Sequence, residues 1–80
     1  MTKKEFYNRI INELRLRGYQ SKIDNNEVFV TYADNYMRIS CNRNFVKVYN
    51  DSYDDEEFYP FEGNMVVLTA DQVENVIKNS

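Results

Sequence analysis

The stretch EVFVTYADNYMRISCNRNFVKVY, residues 27–49, alternates apolar and polar side chains with a period of two and is interrupted only at Asp34-Asn35 and Asn42-Arg43-Asn44. A period of two belongs to strands, and Asn and Asp tolerate the positive φ that tight hairpin turns require. Glu27–Ala33, Tyr36–Cys41 and Phe45–Tyr49 therefore read as consecutive strands of an antiparallel meander. Tyr19–Ile23, joined through Asp24-Asn25-Asn26, adds a strand upstream. Val28, Val30 and Tyr32 share one face, as do Met37, Ile39 and Cys41, and then Val46 and Val48. Arg38, Ser40 and Lys47 fall on the other face, so the sheet is expected to be apolar on one side only.

Working outward from the meander, Thr2 and Glu5 stand in capping-box relation and predict a helix from about Lys3. Phe6, Ile10 and Leu14, flanked by Tyr7 and Ile11, recur at helical spacing, and Gly18 offers a left-handed end. Downstream, Asp51 to Gly63 breaks the alternation and contains Pro60, so it reads as a connection. Asn64–Leu68 resumes an apolar run and is expected to form one more strand. Thr69-Ala70-Asp71-Gln72 then reads as a second capping box, opening a short helix whose stripe is Ala70, Val73, Val76 and Ile77. The expected class is α+β, with an N-terminal helix, an antiparallel meander of four to five strands and a short C-terminal helix, in one domain over residues 1–80.

Charge is divided sharply along the chain. Residues 1–49 hold nine Lys/Arg against five Asp/Glu, and residues 50–80 hold one against eight, so a net of +4 faces a net of −7. Asp51, Asp54, Asp55, Glu56, Glu57 and Glu62 lie in one segment with no base, interleaved with Tyr53, Phe58, Tyr59 and Phe61. A dense negative patch attracts basic surfaces, and rings beside it supply anchoring area that carboxylates alone lack. The alternative is a solubilising loop whose rings tuck into the core. The bases of the first half are spread among acids, and a pI near 4.8 opposes direct binding of DNA or RNA.

Chemistry is poorly provided for. The chain has no histidine, two glycines and one cysteine, which excludes the commonest general base, a phosphate-cradling glycine loop, an intrachain disulfide and a cysteine zinc cluster. Cys41 lies on the apolar face and reads as a packed thiol. Asp51 to Glu62 spans the length of a calcium loop, but Tyr53 stands at a ligand position and Glu56 where the turn needs glycine. No catalytic residue, metal or cofactor is predicted. The opening residues lack a signal-peptide apolar run and no segment reaches membrane-spanning length, so a cytoplasmic setting is expected. Abundant Asn with scarce Gly, Pro and Trp points to an AT-rich genome such as that of a phage or mobile element.

The run Tyr53-Asp54-Asp55-Glu56-Glu57-Phe58-Tyr59, followed by Met65-Val66-Val67-Leu68, resembles the acidic-aromatic run near the C-terminus of a type II inhibitor among the small acidic anti-CRISPR proteins of phages and prophages of low-GC bacteria. The likeness covers about fifteen of the 80 residues, and the terminal helix, Pro60 and Gly63 depart from that pattern. It implies a protein that mimics DNA at the site where an RNA-guided nuclease reads the motif flanking its target, with Asp54, Asp55, Glu56, Glu57 and Tyr59 as the carried-over residues. Together with the charge pattern, this gives a candidate partner-binding set of Asp51, Tyr53, Asp54, Asp55, Glu56, Glu57, Tyr59 and Glu62. The expected function is a non-enzymatic inhibitor of a nucleic-acid-binding host protein, acting as monomer or dimer in the bacterial cytoplasm. The competing expectations are a homo-oligomeric assembly module with a merely solubilising acidic loop, and an enzyme dependent on a divalent ion.

Overall fold

A computed structural model describes residues 1–52 and 54–79. The element order is α1 (Lys3–Leu16), β1 (Ser21–Asp24), β2 (Glu27–Tyr32), β3 (Asn35–Cys41), β4 (Phe45–Asn50), β5 (Asp55–Pro60) and α2 (Met65–Lys78). The strands form one antiparallel sheet whose spatial order is the sequence order, β1-β2-β3-β4-β5. The α+β class and the meander therefore stand as the alternation predicts.

Both ends of α1 are fixed by local chemistry. The Glu5 N–H donates to the Thr2 hydroxyl at 3.1 Å and the Thr2 N–H donates to the Glu5 carboxylate at 3.3 Å, so the capping box is complete. At the other end Gly18 adopts φ +93, and the Tyr19 and Gly18 N–H groups donate to the Leu14 and Arg15 carbonyls at 2.8 and 3.0 Å. This pair of bonds is a Schellman closure, which a left-handed residue makes possible. The hairpins follow the same logic: Asn25 and Asn26 take φ 53 and 63 between β1 and β2. Between β3 and β4 the Asn42 side chain accepts from the Asn44 and Phe45 N–H groups at 2.7 and 3.0 Å.

Register places Val28 opposite Ile39 and Ile39 opposite Val48, with Val30 opposite Met37 and Cys41 opposite Val46. Those valines, Met37 and Ile39 form a single buried cluster with Phe6, Tyr7, Ile10 and Leu14 of α1 and Met65, Ala70 and Val73 of α2. Both helices thus cover the same side of the sheet and leave the other bare. The helices are also tied to each other, since Arg17 reaches Glu13 at 2.9 Å and, across to α2, Asp71 at 2.8 Å and Glu74 at 3.8 Å.

Four sequence expectations are corrected. The acidic segment is not a loop: Asp55–Pro60 pairs with β4 from Asn50↔Asp55 to Phe45↔Pro60 and forms the outer strand β5. Tyr59 and Phe61 alternate onto the helix side, where Phe61 meets Phe6 edge-on at 6.0 Å, and this alternation outweighs the poor strand propensity of Asp and Glu. Asn64–Leu68 is not a strand but the start of α2, because Met65 continues the buried stripe of Thr69, Ala70 and Val73 one turn upstream. Thr69 consequently lies inside a helix, fully buried, and caps nothing. The β2–β3 turn is centred on Ala33-Asp34, with Ala33 at φ 54, while Asn35 already belongs to β3.

Candidate partner-binding edge

β5 is an edge strand, and its backbone orientation follows from one bond. The Phe61 N–H donates to the Asn44 carbonyl at 3.0 Å, so alternation turns the N–H groups of Glu57 and Tyr59 towards β4 and those of Glu56 and Phe58 outward. Position 60 would also face outward, which is where a strand accepts a proline without losing a ladder bond. The outward Glu56 N–H is met by the Asp55 carboxylate at 3.0 Å.

The acids of the predicted set take different places. Asp51 is held internally, since Arg38 donates to its two carboxylate oxygens from Nε at 2.9 Å and Nη2 at 3.1 Å. Asp54 sits in the β4–β5 turn at φ 53 and accepts from the Tyr49 hydroxyl, an interaction that raises the Tyr49 pKa. Asp55 and Glu57 lie on the helix side of β5, opposite Asn50 and Val48, and are exposed. Glu56 lies on the bare side, with Lys47 Nζ 3.9 Å away. Tyr59 is half-buried against the core, and burial raises its pKa. Glu62 is exposed in the turn that leads to α2. Tyr53 lies outside the described residues.

What β5 brings together is therefore three consecutive exposed carboxylates, Asp55, Glu56 and Glu57, flanked by Asp54. Successive side chains point to opposite faces, so Asp55 and Glu57 stand about 6.8 Å apart on the helix side while Glu56 stands on the bare side. Asp51 does not belong to this row, being neutralised by Arg38.

Sequence reasoning missed the bare face beside the row. Phe45 and Phe58 stack edge-to-face at 5.3 Å, Phe29 and Tyr36 are tilted together at 5.7 Å, and the Arg38 guanidinium lies 4.7 Å from the Tyr49 ring centre. The signal was present in the alternation, since residues 29, 36, 45, 49 and 58 all occupy the parity opposite to the core. Phe58 is 54% exposed and was absent from the predicted set.

Among the described residues no three Cys, Asp or Glu side chains converge as metal ligands do, and no helix is long and apolar enough to cross a membrane. Cys41 is half-buried with its thiol pKa raised by desolvation, the opposite of what a nucleophile needs. The chain matches no protein-family model, no curated protein and no solved structure.

Proposed function

We propose that this chain is a non-enzymatic inhibitor that lays the acid row of β5 into the cationic nucleic-acid channel of a host defence protein, acting in the bacterial cytoplasm. The observation that carries this reading is the exposed edge strand bearing Asp55, Glu56 and Glu57, for which the only ion-pair partner among the described residues is Lys47 at 3.9 Å from Glu56. Desolvating these carboxylates is costly, and an arginine-lined groove offsets that cost because each contact there is a charge-assisted hydrogen bond. The resemblance of the run from Tyr53 to Tyr59 points to an RNA-guided nuclease as the partner class.

Pairing of two copies through β5 is disfavoured by the same feature, because it would set like charges against each other along an edge that carboxylates already blunt. The test is cleavage of target DNA by an RNA-guided nuclease in the presence of the chain. Inhibition is expected to weaken about tenfold or more when Asp55→Asn, Glu56→Gln and Glu57→Gln are combined, and to weaken with added salt. Inhibition that is absent, or unchanged in the triple variant, rejects the proposal.

A further inference from the structure

The bare face of the sheet carries two ring-and-carboxylate pairs, and the chain fills one of them itself. Arg38 lies 4.7 Å from the centre of Tyr49 while its guanidinium donates to both oxygens of Asp51, with Glu27 at 3.7 Å from Nη1. A guanidinium lying on a ring and gripped by a carboxylate is the arrangement this planar, weakly hydrated cation favours. Beside it, register sets Glu56 across from Tyr49 and Phe58 across from Lys47. Glu56 and Phe58 thus stand two residues apart on the bare side of β5, about 6.7 Å along the strand.

Among the described residues no arginine is paired with this second set. Phe58 is 54% exposed and braced edge-on by Phe45 at 5.3 Å. With Ser40, Asn42 and Lys47 these side chains line an open depression of about 340 Å³. Among the described residues the only cation paired with Glu56 is Lys47, at the long distance of 3.9 Å and with 38% of its side chain exposed.

We infer that this depression receives an arginine side chain of the partner, with the guanidinium on the Phe58 ring and donating to Glu56, while Lys47 swings out to solvent. The inference rests on reading β5 as the surface for a basic partner, and adds which basic residue is recognised and by what. Lysine is the poorer occupant, since a compact, strongly hydrated ammonium offers neither a planar face nor a fork of donors. Lys47 is a flexible ammonium in a long, exposed ion pair, so displacing it costs little.

The test uses two short capped peptides, one alternating glycine with arginine and the other glycine with lysine, titrated into the full chain at low and high salt and followed by fluorescence anisotropy. The arginine peptide is expected to bind about two- to fivefold tighter than the lysine peptide, the preference a cation on an exposed ring supplies. Phe58→Leu should bring the two affinities together while both peptides still bind, Glu56→Gln should weaken both, and Lys47→Met should tighten the arginine peptide. An unchanged thermal midpoint confirms that each variant is folded. Equal affinity of the parent chain for both peptides, an arginine preference that survives Phe58→Leu, or weaker arginine binding by Lys47→Met overturns the inference. Salt-sensitive binding of both peptides that is lost when Asp55, Glu56 and Glu57 are neutralised together leaves the reading of β5 standing even then. If neither peptide binds the parent chain at low salt, both fall.

Discussion

The two faces of the sheet are built from the same strands by alternate residues, and they differ in what holds their side chains. On the covered face Val28, Val30, Met37, Ile39 and Val46 are fully buried beneath α1 and α2. On the bare face Phe29, Tyr36, Phe45 and Phe58 lean on one another in pairs, and Arg38 is pinned between Tyr49 and Asp51. Burial of apolar area stabilises the first face, at about 25 cal/mol per Å² removed from water. Ring pairs and half-exposed ion pairs contribute far less to the second. The difference teaches that the covered face specifies the fold, and that the bare face is free to be specified by something else.

The hardest blow to this contrast would come from the covered side. Ile39→Ala should destabilise by about 2–5 kcal/mol, read as a lower urea midpoint. In so small a domain that is a large share of the total stability. A loss well below that range would mean that the covered face is not where stability resides.

The next effect also belongs to the covered side and depends on pH. The Tyr7 hydroxyl donates to the Asn26 carbonyl at 2.7 Å, and burial pushes its pKa from 10.0 up to about 12. The folded state therefore holds this proton more tightly than the unfolded chain. The resulting stabilisation is fully present below pH 10.0 and is lost as pH rises towards about 12. Tyr7→Phe should cost about 1 kcal/mol at neutral pH and should make the alkaline fall in melting temperature shallower. An alkaline profile identical to that of the parent would remove Tyr7 from the account.

On the bare face the effects shrink. Arg38→Met keeps an apolar stem on Tyr49 but releases Asp51, and should cost about 0.5–1 kcal/mol of stability by thermal unfolding. The same change frees a carboxylate beside the acid row, so affinity for a basic peptide should rise. Phe58→Leu should shift stability by no more than about 0.5 kcal/mol while changing recognition, which would sharpen the separation of roles between the faces.

The sequence made one face far more legible than the other. Alternation from Glu27 to Tyr49 located three strands and their buried residues, because a one-residue slip would have turned Val28, Ile39 and Val48 into solvent. Capping chemistry at Thr2, Glu5 and Gly18 located α1. The acidic segment was misread because Asp and Glu argue against strands by propensity, whereas Tyr59 and Phe61 at alternate positions had a core to reach. The run Met65-Val66-Val67-Leu68 was misread because β-branched residues favour strands when considered alone, while the helical stripe they extend is visible only across the whole of Met65–Lys78. For the site, sequence found the acids of β5 but could not tell that Asp51 is spent on Arg38, nor that Phe58 stays out of the core. Both facts depend on which strands become neighbours.

The coincidence of spatial and sequence order has a kinetic consequence. Each strand finds its partner across a short connection, so the meander is rich in local contacts and should zip up rapidly, β1 through β5, without closing a long loop. The helices that flank the meander in sequence lie side by side, where Arg17 engages Asp71 at 2.8 Å. Joining Arg17 to Asp71, 54 residues apart, is the long closure that this topology asks for, and its entropic cost falls on the packing of the helices and not on the sheet.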